Sequence, residues 1–164
     1  MTRAPIPTTE ILTLLRENPA RMAELTAGHA PSRLRTPPEP EAWSSLEILA
    51  HLRACADVWG ASIDRILREE NPRFAWVSPR SWIRKTGYDS QDFAVSFAAY
   101  RTQRGCLVSR LQSLSPADWK RAATVKASTA VRQETVLSYA RRLAGHEAGH
   151  CGQIERVVDA HRHG

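Results

Sequence analysis

Residues 146–150 read His-Glu-Ala-Gly-His. Two histidines four positions apart on a helix differ by about 40° in direction and one turn in height, so both imidazoles can reach one ion. Imidazole suits zinc, nickel, iron or copper. The same letters also spell H-E-x-x-H, the zinc-peptidase signature in which the glutamate is a general base. Gln153 lies one turn further on and is placed to fix an imidazole's orientation from outside the ligand set. Tyr139, Leu143 and Val157 share this face, so it points inward, where each ring nitrogen needs a partner.

An ion needs a third ligand, and His51 is the natural candidate. It sits on the flank of an apolar helix, about 80° from the centre of the stripe. Glu47, one turn earlier on the same side, is the catalytic candidate, placed to orient His51 or a water. Cys55 follows His51 by one turn and can approach the same ion, although packing is the expected role of a buried thiol. Cys151 points about 100° off the histidine face and is read as packing. Trp43 and Trp59 are read as core or capping residues.

Four amphipathic segments must position these side chains. Residues 7–27 form the first, with Pro19 expected to kink it or begin a second piece. HAPSRLRTPPEPEA follows as an extended linker without helix. Residues 43–70 are the clearest helix, with Ser44 and Glu47 in capping-box spacing and an apolar stripe through Ile48, Leu52, Cys55, Trp59, Ile63 and Ile66. Residues 71–90 are a long crossover. A third helix, 90–115, carries Phe93, Phe97, Tyr100, Leu107 and Leu111, with Ser90 as a possible cap. Residues 116–130 are a looser connection with one helical turn at Pro116–Trp119. The last helix runs from about Val131 to Asp159. No alternating strand pattern stands out. The fold class is therefore all-α, a four-helix bundle with a long crossover between helices two and three, in one domain over 1–164.

That reading weakens the peptidase alternative. A zincin needs a mixed sheet and a third ligand downstream, where only His161 and His163 remain. Glu147 lies about 100° from His146 around the helix and is read as an exposed polar flank. Tyr100, Arg101 and Arg104 are candidates to line the pocket, with Tyr100 and Arg101 as substrate-binding residues for an anionic group. The competing reading for both arginines is a solvated face.

Composition bounds the rest. The chain has 164 residues, 42% hydrophobic and 24% charged, which fits a globular domain. No run of about 18 apolar residues predicts a membrane span. The N-terminus shows no signal peptide, and the cytoplasm is the expected compartment. Three widely spaced cysteines form neither a disulfide framework nor a C-x-x-C motif. The net charge of +6 comes from scattered arginines and no nucleic-acid-binding motif accompanies it, so nucleic acid is not expected.

Trp43-Ser44-Ser45-Leu46-Glu47, then His51-Leu52, and His146-x3-His150-x2-Gln153-Ile154 together resemble the DinB-like (DinB/YfiT) superfamily of metal-dependent proteins. The likeness covers most of the chain. It implies an up-down-down-up bundle and a three-histidine centre, one ligand from the second helix and two from the last: His51, His146 and His150. Characterised relatives include low-molecular-weight thiol transferases and a mycothiol-dependent isomerase. The implied cofactor is a divalent transition metal: zinc or nickel first, then iron or manganese. Three neutral histidines leave the ion its full charge and an open position, where it lowers the pKa of water or stabilises a thiolate. The expected reaction is transfer of a small thiol to an electrophile. Metal-assisted hydrolysis is the nearest rival, and a stress-related metal- or ligand-binding protein without turnover is the other. Oligomeric state stays open, a homodimer being one option.

Overall fold

The computed structural model describes residues 6–163; residues 1–5, which fall in the segment read as carrying no signal peptide, and Gly164 lie outside the described residues. Four long helices carry the fold: α1 (Thr8–Thr26), α3 (Ser45–Arg68), α5 (Phe93–Gln112) and α7 (Val136–His163). Between them lie α2 (Pro31–Arg35), β1 (Arg73–Ala75), α4 (Pro79–Thr86), α6 (Pro116–Trp119), β2 (Ala122–Lys126) and β3 (Val131–Thr135). No helix among the described residues is long and apolar enough to cross a membrane.

The helix starts follow local chemistry. Ser44 Oγ accepts from the Glu47 amide at 3.2 Å, and Glu47 Oε2 accepts from the Ser44 amide at 2.8 Å, which closes the capping box of α3. Asp92, rather than Ser90, caps α5 by accepting from the amides of Ala94 and Val95. Thr135 and Ser138 cap α7 reciprocally: each hydroxyl accepts from the other's amide, at 3.0 and 2.8 Å.

The all-helical expectation needs correcting. A three-stranded sheet in the order β1-β2-β3 joins the crossover to the segment before α7, with β1 parallel and β3 antiparallel to β2. Residues 131–135, expected to open the last helix, pair instead from Lys126↔Val131 to Ala122↔Thr135. Ala123 and Val125 drive this, since both are buried in the core while their neighbours face outward. Two further expectations change locally: no second helical piece begins at Pro19, and the linker is not free of helix. α1 runs unbroken through Pro19, which is buried, and Asn18 Nδ2 donates to Ala144 O on α7 at 3.2 Å. The proline-rich linker contains one helical turn, with Pro31 at its start and Leu34 buried.

Two apolar clusters fill the bundle. One joins Ile11 and Leu15 of α1 to Ile63 and Ile66 of α3, Leu107 and Leu111 of α5, and Tyr139 and Leu143 of α7, with the sheet packed against it. The other joins Met22, Ile48 and Leu52, Phe93 and Tyr100, and Ile154 and Val157. Asp57 of α3 ties the crossover down by accepting from Trp82 Nε1 at 2.8 Å, Tyr88 OH at 2.6 Å and Gln103 Nε2 at 2.5 Å.

α7 packs on α1 and α3, and α5 packs on the same two helices, so α5 and α7 lie diagonally opposite. Arg104 of α5 and Glu147 of α7 form an ion pair across that diagonal, and both are buried. This corrects the exposed reading of Glu147 and the solvated reading of Arg104. The helical period gave the angle of Glu147, but the interior occupies that angle. Glu147 Oε2 and two Arg104 nitrogens find no protein partner, so the pair is incompletely satisfied. Removing one buried partner costs about 3–5 kcal/mol, whereas replacing both with apolar residues is often neutral or better. Glu147→Ala should therefore lower the urea midpoint sharply, and Arg104→Met with Glu147→Leu should recover most of the loss. Equal losses in the single and double variants would contradict this account.

Candidate metal centre

α3 and α7 each turn a pair of ligand side chains toward their shared interface: His51 and Cys55 from one, His146 and His150 from the other. His51 Nε2 lies 3.1 Å from His146 Nε2, and His150 Nε2 lies 3.2 Å from the same atom. Ligand atoms of His51, Cys55 and His146 all fall within 4.8 Å of one another. The structure thus brings together the three histidines marked in the sequence. It also brings in Cys55, whose Sγ sits 3.7 Å from His51 Nε2.

The donor set fits a divalent transition metal. Two nitrogens each about 2.0–2.1 Å from one tetrahedral ion stand roughly 3.3 Å apart, close to the observed spacings. Gln153 Oε1 accepts from Nδ1 of His150 at 2.8 Å. That fixes the proton on Nδ1 and leaves the Nε2 lone pair facing the other two rings. One nitrogen, His146 Nε2, meets two others and cannot satisfy both by donating one proton. Nδ1 of His146 is buried without a partner. A cation among these ring nitrogens would relieve the crowding that hydrogen bonds leave.

Electrostatics favour the neutral, ligating form. Burial, then the neighbouring His150 and Arg80 charges, pulls His51 down to about 4. Burial, then His150 and His51, pulls His146 down to about 4. Burial also lowers His150, opposed by its bond to Gln153. The Cys55 thiol is pushed up to about 12 by burial, so it stays protonated without a cation.

Two tryptophans wall the rings, a role the sequence reading did not assign them. Trp43 packs edge-on to His51 at 5.3 Å and parallel to His150 at 6.2 Å, and Trp59 packs edge-on to His146 at 5.1 Å. Trp43 precedes the α3 cap and Trp59 lies two turns past His51, so spacing alone carried a weak signal for both. A cleft of about 580 Å³ opens on His150, with Trp43, Gln153 and Arg156 on its walls. A second cavity of about 180 Å³, walled by Trp59, Phe74, Trp76, Val77 and Trp82, shares Trp59 with the histidines.

Other candidate residues land elsewhere. Glu47 is exposed and its Oε2 also accepts from Ser44 Oγ at 2.8 Å, so its carboxylate serves the helix cap and bonds to no histidine. Tyr100 is fully buried and offers no surface to a substrate. Arg101 is exposed, lies over the Phe97 ring at 5.9 Å and lines a groove between α1 and α5 that contains none of the histidines.

A family model described as the DinB superfamily matches residues 14–154. In three dimensions the chain is similar to YfiT from Bacillus subtilis, described as a probable metal-dependent hydrolase with an unusual four-helix bundle topology. The TM-score is 0.80 at 19% sequence identity, over 96% of this chain and 90% of that one. No curated protein matches the chain in sequence.

The lowered histidine pKa values set a pH dependence. Unfolded, each histidine takes up a proton near its ordinary 6.5, while folded His51 and His146 resist until about 4. Between those values the native state binds fewer protons than the unfolded chain, so stability falls as pH falls through the window. Urea midpoints of chelator-treated protein should decline from pH 6.5 toward 4, and less steeply in His51→Ala. A flat profile in the unsubstituted protein would mean the rings are not held neutral.

Proposed function

Because the chain belongs to the DinB superfamily, we propose that His51, His146 and His150 hold one divalent transition metal, zinc or nickel, and that the centre transfers a low-molecular-weight thiol to an electrophile. The observation that carries this reading is the meeting of three ring nitrogens at 3.1 and 3.2 Å, with Gln153 orienting one of them. The core clusters support an up-down-down-up course. The start of α1 shares a cluster with the ends of α3 and α5 and the start of α7, so α3 and α5 run parallel and need the long crossover.

When bound, the cation supplies a Lewis-acid charge that lowers the pKa of a coordinated thiol or water. The chain does the rest. Neutral imidazoles leave that charge undiminished, and Gln153 keeps the Nε2 lone pair of His150 directed inward. Trp43 and Trp59 pack against the half-buried rings and cover part of them, which lowers the local dielectric on those sides. The cleft over His150, with Gln153 and Arg156 on its wall, suits a polar thiol. The aromatic cavity behind Trp59 suits an apolar electrophile.

Thiol transfer is favoured over hydrolysis by the carboxylates. Glu47 serves a helix cap and Glu147 an ion pair, so neither glutamate beside a histidine in sequence is free as a general base. Glu39 and Glu41 line the cleft but bond to no ring nitrogen. A thiol, with an ordinary pKa near 8.5, needs little help to ionise at neutral pH, whereas water starts near 15.7. The hydrolase reading is kept by the likeness to YfiT.

The test is thiol loss and ester hydrolysis measured side by side on zinc- and nickel-loaded protein, with a panel of cellular thiols and reactive halides. Metal-dependent thiol consumption is expected, and it should vanish with the metal. His51→Ala, His146→Ala and His150→Ala should each lose most of the bound metal and the activity with it. Ester hydrolysis without thiol consumption would make the protein a hydrolase, and neither activity would make it a binding protein.

A further inference from the structure

We propose that Cys55 is a fourth ligand of the centre, closing it until a substrate thiol takes the place of its sulfur. The inference rests on the three-histidine reading and adds to it a residue from the same helix as His51.

The pattern is two pairs on facing helices. His51 and Cys55 are one turn apart on α3, and His146 and His150 are one turn apart on α7. Contact between His51 and Cys55 follows from the helical period alone. The approach of Cys55 to His146 on the other helix does not, yet all three ligand atoms lie within 4.8 Å of one another. The spacing has the right size too. A sulfur about 2.3 Å and a nitrogen about 2.0–2.1 Å from one tetrahedral ion stand roughly 3.6 Å apart, and Cys55 Sγ lies 3.7 Å from His51 Nε2.

The other cysteines make the contrast. Cys106 is exposed, and buried Cys151 contacts Asn18 O at 3.5 Å. Cys55 is 1% exposed, and among the described residues its sulfur makes hydrogen-bond-range contacts with the two ring nitrogens of His51. Three nitrogens and one sulfur are a tetrahedral set well suited to zinc. Four protein ligands complete a tetrahedral set, and on this reading a substrate thiol takes its place by exchange with Cys55. The exchange balances: the incoming thiol gives up its proton as its sulfur binds, and the Cys55 sulfur takes one up as it leaves.

Cobalt(II) loaded in place of zinc reads the ligands without any turnover. The unsubstituted protein should show a near-ultraviolet sulfur-to-cobalt charge-transfer band, retained in Cys106→Ser and Cys151→Ser. Cys55→Ser should still bind cobalt but lose the band, and added 2-mercaptoethanol should restore it. Zinc-edge X-ray absorption of the unsubstituted protein should find one sulfur at about 2.3 Å, independently of any variant's folding. Bound cobalt or zinc without a sulfur ligand overturns the role of Cys55 and leaves the three-histidine reading standing. A sulfur band that persists in Cys55→Ser also overturns it. Failure to bind cobalt at all overturns both.

Discussion

His51 and His146 meet at 3.1 Å across the interface of α3 and α7, and the site exists only where those two helices are in register. Residues four apart on one helix already face together, but two helices must be set to within a fraction of a turn for their pairs to converge. The α3 capping box fixes where that helix begins, two turns before His51. The Thr135–Ser138 cap and the β2–β3 ladder fix where α7 begins. Asp57, six residues after His51, gathers the crossover and α5 onto α3.

The same interior that gathers the histidines removes the glutamate between them. In a peptidase built on H-E-x-x-H the glutamate faces the ion's water. Here Arg104 holds Glu147 on the bundle diagonal, so the same five letters place this glutamate in the architecture of the bundle. Burial acts on the two groups differently. It leaves imidazoles neutral and able to coordinate, whereas a carboxylate at that depth calls for a cationic partner.

How much of this the sequence carried depends on the range of the signal. The long helices were legible because each repeats an apolar stripe over many turns, and the α3 cap because its residues are three apart. The histidine pair was legible for the same local reason, and His51 because of its place beside Glu47 and the Trp43-Ser44 start. The sheet was not, since three to five residues per strand hold too little alternation and β1 finds its partner about fifty residues away. Glu147 was misread because a helical wheel gives direction without saying what stands there. Tyr100 and Arg101 share α5, but it turns one into the core and the other toward a groove that contains none of the histidines.

The ring nitrogens come from α3 and α7 alone, whereas the walls around them draw on connecting segments as well as on those two helices. Every ring nitrogen and the Cys55 sulfur sit on α3 or α7, inside the packed bundle. The wall of the polar cleft includes residues between α2 and α3, and that of the aromatic cavity includes residues of the crossover. Such connecting segments accept substitution and insertion far more readily than packed helices do. Substitutions there would reshape either opening while leaving His51, Cys55, His146 and His150 in place. The segments that help wall the two openings thus vary under weaker packing constraints than the α3–α7 interface that gathers the rings.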